Sequence, residues 1–348
     1  MPPFGRISQT QLAKELGISQ SLVSLVLNGR KQNINPETYD RIWQHAVKRG
    51  YHPKGMRLSS TPDHARQRTV GFILRAPMRL STIGSYFGRV QHGLHTALLS
   101  EDISTVFLGS EDQLDPTQLV RFFPAGHTLQ GVVLVAEVAR PFLLELRKYE
   151  RRLVAVSARY PGLTHSVIGN EPQALTQLVV HLHGLGHRRI GWIGGNRGLA
   201  RNDERFAAFT HAIKEAGLTH NPRYQITLPQ ADREEGAEAV YQMMVHGKRR
   251  DFPTAFICYN SLMAQGAARG FLRAGWSVPG DVSVAGADIP RAGNTDAPTV
   301  TGAGSDPTNL GAAAARLVLA STGEADEAFN DQLLPSQLVI GESTGPAS

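Results

Sequence analysis

The stretch Gln11-Leu-Ala-Lys-Glu-Leu-Gly-Ile-Ser-Gln-Ser-Leu-Val-Ser-Leu-Val-Leu-Asn-Gly29 holds two short helical periods divided by one break. Ser8 stands three residues before Gln11, the spacing at which two side chains satisfy the free backbone amides of a helix start. Leu12, Ala13 and Leu16 then form an apolar face, and Gly17 stops it. Ser19 can cap a second helix from Gln20 to Leu27, with Leu22, Val23, Val26 and Leu27 as its apolar set and Asn28-Gly29 as its end. Asn35-Pro36 starts a third helix, whose buried stripe is Tyr39, Ile42, Trp43, Ala46 and Val47 and which ends at Gly50. Two short helices joined by a tight turn and backed by a third predict a helix-turn-helix, whose second helix can enter a DNA major groove.

Charge agrees with that reading. The 348 residues carry a net charge of +6, but residues 1–68 hold 11 Lys or Arg against 4 Asp or Glu. The remainder is therefore near neutral, so the basic charge sits on the segment expected to meet a polyanion. No apolar run is long enough for a membrane span, and Met1 to Thr10 lack the apolar core of a secretory signal. The single cysteine, Cys258, cannot form an internal disulfide, which points to a reducing, cytoplasmic compartment.

Beyond Pro53 the periodicity breaks. Pro53, Gly55, Ser59, Ser60, Thr61 and Pro62 make residues 53–68 a linker. From 69 onward short apolar runs alternate with helix-like stretches: Val70 to Leu74, Thr105 to Leu108, Gly131 to Val135, Leu153 to Val156, Ile190 to Ile193, Ala255 to Tyr259 and Val282 to Ala285. That alternation predicts βαβ units and parallel sheets, so the fold class is α/β behind an all-α head at 1–52.

Two constellations invite other readings. Gly191, Gly194, Gly195 and Gly198 follow a strand, but their spacing is wrong for a dinucleotide fingerprint and no acidic residue sits at the expected distance. His181 and His183 point away from each other on a helix, and His187 lies beyond two glycines, so no metal site is expected. No catalytic serine or cysteine signature appears, and Cys258 reads as a strand-core residue. Neither an enzyme nor a cofactor is expected.

The 11–29 run and Gly50-Tyr-His-Pro53 resemble the head of LacI-type bacterial regulators. The resemblance continues through Gly131-Val-Val-Leu, Gly186-His-Arg-Arg-Ile-Gly-Trp-Ile-Gly-Gly195, Glu204-Arg205, Val278-Pro-Gly-Asp-Val-Ser-Val-Ala-Gly286, Asp288-Ile-Pro290 and Leu338-Val-Ile-Gly-Glu-Ser-Thr344. It implies a body at 69–348 made of two subdomains like those of periplasmic sugar-binding proteins, about 69–169 with 300–330 and about 170–299 with 331–348. The chain would cross between them near Gly169, Thr299 and Asn330. It further implies a homodimer that binds a pseudo-palindromic double-stranded operator and a sugar-like effector in the cleft. The alternative is a ligand-binding protein or sugar-active enzyme on the same body without regulated DNA binding. No leucine heptad follows Thr344, so a dimer rather than a tetramer is expected.

Residue by residue, the resemblance assigns Gln20 and Ser21 to base reading. The same DNA face includes Ser8, Thr10, Ser24, Leu25, Asn28 and Tyr51, with Arg30, Lys31 and Arg57 as phosphate partners. Leu25 stands where arginine is usual, and it either faces a thymine methyl or joins the head core. In the linker, Lys54-Gly-Met-Arg-Leu-Ser-Ser60 replaces the family's helical hinge and puts Ser60 at the minor-groove wedge position, with Met56 or Leu58 as candidate substitutes. For the cleft, Tyr86 and Phe87 match an aromatic pair, and Arg205, Asn260 and Asp288 match polar ligand contacts. Ser157 replaces an aspartate common among sugar-binding members. Arg75 adds a cation at the end of strand one, which brings acid sugars and phosphorylated ligands into range.

Overall fold

The computed structural model describes residues 8–27, 34–35, 38–39, 41–42, 45–46, 68–76, 86–123, 129–246, 251–290, 298–324 and 328–348. The chain forms two units, Met1–Ala65 and Arg66–Ser348, each with its own core.

In the first unit, α1 (Gln9–Leu16) opens on the expected reciprocal cap. The Gln11 amide donates to Ser8 Oγ at 3.1 Å and the Ser8 amide to Gln11 Oε1 at 2.9 Å. Gly17 closes the helix at φ 66°, a left-handed value that glycine adopts without steric cost. Ser19 Oγ accepts from the Leu22 amide at 3.2 Å and starts α2 (Gln20–Leu27). Leu12, Ala13, Val23, Val26 and Leu27 pack with Ile42 and Ala46, which lie in helical backbone. His45 Nε2 lies 2.7 Å from Glu15 Oε2 and ties that third segment to α1. Asn28, Arg30, Lys31, Trp43, Val47, Tyr51, Met56, Arg57 and Leu58 lie outside the described residues.

The second unit contains two six-stranded sheets. Strands β1 (Thr69–Leu74), β2 (Ser104–Ser110), β3 (Leu129–Val135), β4 (Leu153–Val156) and β5 (His165–Gly169) build the first, joined at one edge by β11 (Asp331–Leu334). All its pairings are parallel. The second holds β6 (Ile190–Gly194), β7 (Gln225–Thr227), β8 (Ala255–Cys258), β9 (Ser283–Gly286), β10 (Thr301–Gly304) and β12 (Gln337–Val339). Only β12 among them runs antiparallel, against β10.

Each sheet is covered on both faces, which is why its strands read as continuous apolar runs. Val133 and Val135 enter one core of the first sheet, while Val132 and Leu134 enter the other, as strand alternation requires. Helices α3 (Tyr86–Leu99) and α10 (Pro307–Ala320) cover the first of these faces and touch backbone to backbone. A Cβ on Gly93 would lie 1.9 Å from the Thr308 carbonyl oxygen, and one on Gly311 1.9 Å from that of Val90. Glycine is therefore required at both positions. The strand glycines Gly191 and Gly194 serve the same end: a Cβ on Gly191 would meet the Phe256 ring at 2.4 Å.

Sheet membership corrects the expected crossings. β10 belongs to the second sheet although it follows residue 300, and β11 belongs to the first although it follows residue 330. The chain crosses after Gly169, between Gly304 and Pro307, and between Leu334 and Gln337. Thr301-Gly-Ala-Gly304 carries almost no apolar bulk and Asp331-Gln-Leu-Leu334 is largely exposed, so neither advertised its sheet.

His187 is 1% exposed and lies between Thr254 Oγ1 at 2.8 Å, Ser283 Oγ at 3.1 Å and the Gly345 carbonyl at 3.0 Å. Burial holds its pKa below the ordinary imidazole value of 6.5, and His181 and His220 shift the same way for the same reason. The unfolded chain then takes up protons at a higher pH than the folded one. The stability these residues contribute is present above about 6.5 and is lost as pH falls below it. Urea midpoints measured against pH should decline on that limb, and His187→Gln should flatten it.

Candidate functional site

Parallel strands converge their carboxyl ends on the cleft between the two sheets, where ligands of α/β folds bind. Arg75 directly follows β1, Ala136 follows β3, Ser157 follows β4, and Asn260 and Asp288 lie just past β8 and β9. Tyr86 and Phe87 open α3, their rings edge to face at 5.2 Å. Arg205 sits on the second turn of α7 (Ala200–Glu215), which follows β6. All seven of these sequence-selected cleft residues, Arg75, Tyr86, Phe87, Ser157, Arg205, Asn260 and Asp288, line one cavity of about 620 Å³.

The backbone at its wall is held in unusual conformations. Ala136, Ser157 and Asn196 have φ of 72°, 61° and 54°, values that cost a non-glycine residue about 1 kcal/mol or more. The Ala136 and Ser157 amides continue the sheet ladder, to Val156 O at 3.0 Å and Val167 O at 2.9 Å, and so fix the strain in place.

Electrostatics centre on a residue that the sequence reading missed. Glu171 opens α6 (Glu171–Gly184) behind the Asn170 cap, and its carboxylate accepts from Arg201 and, at 2.7 Å, from Arg205 Nε. Burial works against the charged form of Glu171, but the two guanidinium groups outweigh it and hold the carboxyl below the usual range. Arg205 also donates to the Tyr259 carbonyl and stacks 4.6 Å over the Tyr259 ring. Its pKa is raised: burial works against the charge, and the facing Glu171 carboxylate overrides it. Much of the Arg205 fork is thus already engaged. The available signal was the four-residue spacing of Arg201 and Arg205, which puts both on one face of α7.

Asn260 Oδ1 caps α9 (Ser261–Arg273) through the Met263 amide at 2.8 Å, and its Nδ2 donates to Ala231 O at 2.8 Å. Asp288 Oδ1 accepts from the Ser261 amide at 2.7 Å. Burial pushes the Asp288 carboxyl up, against the opposing field of Arg205 and the bond from Ser261. Away from the chain crossings, hydrogen bonds join the subdomains at the start of α7. There Ala200 N donates to Glu137 Oε1 at 3.4 Å and Arg201 Nη1 to Ser157 O at 3.1 Å.

On the head, Ser8, Thr10, Gln20, Ser21 and Leu25 are exposed and Ser24 is half-buried. Leu25 is 40% exposed, so it stands off the core formed by Val23, Val26 and Leu27.

Comparison with known proteins adds a second line of argument. Residues 6–42 match a helix-turn-helix family model and residues 179–344 a periplasmic binding protein-like domain. The HTH-type transcriptional repressor PurR of Aliivibrio salmonicida is 25% identical over 280 residues, 80% of each chain. Head and body are thus both similar to those of LacI-type regulators. A LacI family regulator from Mycobacterium smegmatis shares its fold at a TM-score of 0.68 and 23% identity, covering 80% of this chain and 100% of that one. The lac repressor dimer bound to operator and the anti-inducer ONPF matches at 0.64 and 18% identity, covering 98% and 100%. Among the described residues, no helix is long and apolar enough to cross a membrane.

Proposed function

We propose that the chain is a repressor acting in the cytoplasm as a homodimer, with paired heads on a two-fold operator and a small polyhydroxylated metabolite in the cleft. The observation that carries this reading is the convergence of Arg205, Asn260, Asp288 and the Tyr86-Phe87 pair on one cavity, in a chain that also bears a capped helix-turn-helix. The role is regulatory rather than catalytic, in keeping with relatives that are repressors. A ligand touching both subdomains binds their closed and open arrangements unequally, and that difference bounds its effect on DNA, commonly about 1 to 3 kcal/mol. Glu137 and Arg201, which bridge the subdomains at the start of α7, are the contacts such a ligand would bias. DNA titrations of the full chain and of a fragment from Thr69 at several salt concentrations test the proposal. The full chain should bind with a steep salt dependence, and the fragment should not bind.

Within α2, the exposed Leu25 is assigned to the DNA face beside Gln20 and Ser21. Leucine cannot grip guanine O6 and N7 as arginine does. The expected result of Leu25→Arg is a gain of roughly 1 to 3 kcal/mol for guanine at one symmetric pair of operator positions. Selection from random DNA by both proteins reads this out directly, and identical preferred sequences would remove Leu25 from the base-reading set.

A further inference from the structure

Resting on the cleft reading above, we infer that the ligand is anionic as well as polyhydroxylated, and that Arg75 receives its acidic group. The other guanidinium groups of the inner cavity have carboxylate partners. Arg89 pairs with Asp306 at 3.1 Å, and Arg201 and Arg205 share Glu171. Arg75 has no carboxylate within 4.0 Å among the described residues, and its Nε is buried without a hydrogen-bond partner. Its backbone is fixed by the Arg75 amide on Val135 O at 3.1 Å, at the end of a strand lying inside the sheet. A buried donor without an acceptor costs free energy unless a ligand or solvent supplies one, and an anion does so with the strongest class of hydrogen bond.

The surroundings favour the same charge. Arg75 also lines a second cavity that shares part of its wall with the first, together with Arg140, Arg159 and Arg197. Glu111 and Glu137 are the acids lining that second cavity. Glu111 is taken up by the Ala139 amide at 2.7 Å and the Ala76 amide at 3.4 Å, and Glu137 by the Ala200 amide. Deeper in, Asp232 accepts from the Glu234 amide at 2.8 Å and Asp288 from Ser261. The carboxylates facing the cleft are thus bonded to backbone amides, while Arg75 and Arg140 lack ion-pair partners among the described residues. A ligand whose hydroxyls reach Asn260 and Asp288 would present its phosphate or carboxylate to Arg75.

The test uses the full chain at low salt with matched probes: glucose, glucose 6-phosphate and gluconate; ribose and ribose 5-phosphate; adenosine and AMP. Thermal shift selects binders and titration calorimetry measures them, with Arg75→Gln, Arg75→Lys and Asn260→Ala alongside. The anionic member of at least one set should bind tenfold or more tighter than its neutral partner. Arg75→Gln should erase that ratio with an unchanged ligand-free melting temperature, and Arg75→Lys should restore part of it. A loss of roughly ten- to a hundredfold is expected for removing a charged hydrogen-bond partner. A neutral member binding as tightly, and weakened by Asn260→Ala, overturns the anionic ligand and leaves the cleft reading intact. Anion binding indifferent to all three variants overturns both. If no anionic probe binds at millimolar concentration, the inference fails as well.

Discussion

Replacing Glu171 with alanine should lower the unfolding free energy of the body by about 3 to 5 kcal/mol, the usual cost of stranding a buried charge. The carboxylate is 12% exposed and its partners Arg205 and Arg201 are 4% and 15% exposed, so solvent cannot replace it on either guanidinium. An exposed pair would cost no more than about 1 kcal/mol. Urea denaturation of wild type, Glu171→Ala, Arg205→Met and the double variant separates the two cases. The double variant should lose clearly less than the sum of the single losses, because removing both partners leaves fewer uncompensated charges. A Glu171→Ala loss near 1 kcal/mol would mean that Arg201 and Arg205 find other partners. Effector response should weaken too, since Glu171 holds Arg205 against the cavity wall.

The second large effect is expected from Asp288. Asp288→Ala should cost about 2 to 5 kcal/mol of effector affinity, the range for truncating one member of a buried hydrogen-bonded charge pair. Operator affinity without effector should stay unchanged, because Asp288 belongs to the second unit and α2, the helix proposed to read DNA, to the first. Calorimetry with a ligand found by thermal-shift screening, paired with an operator titration, reads both quantities. Equal effector affinity in the variant would take Asp288 out of the ligand shell. Because burial raises the Asp288 carboxyl, a ligand that needs it as an acceptor should lose affinity at a higher pH than an ordinary carboxylate would dictate.

Strands written as continuous apolar runs were legible because such runs need no partner to be recognised. Val70 to Leu74, Gly131 to Val135 and Leu153 to Val156 lie within or coincide with the observed β1, β3 and β4. His165–Gly169, Gln225–Thr227 and the last three strands were not legible. Three of these carry exposed or half-buried residues, and Thr301-Gly-Ala-Gly304 owes its strand to neighbours rather than to its own side chains. Cleft residues at strand ends were found from short phrases. Glu171 was missed because its value depends on Arg201 and Arg205, 30 and 34 positions away.

By itself the sequence determined what local chemistry can enforce. The Ser8 and Gln11 box, the Gly17 stop and the apolar set of α2 specify the head within a few residues of chain, since caps and helical faces depend on near neighbours. It also determined that the body would be layered α/β. Only the tertiary structure decided which sheet each late strand joins, because an edge strand's membership follows from the hydrogen-bonding edge left open to it. Only the tertiary structure, likewise, separated Arg75 from the other cavity arginines. Whether a guanidinium is neutralised is a matter of distance across the fold, and residues far apart in the chain set that distance.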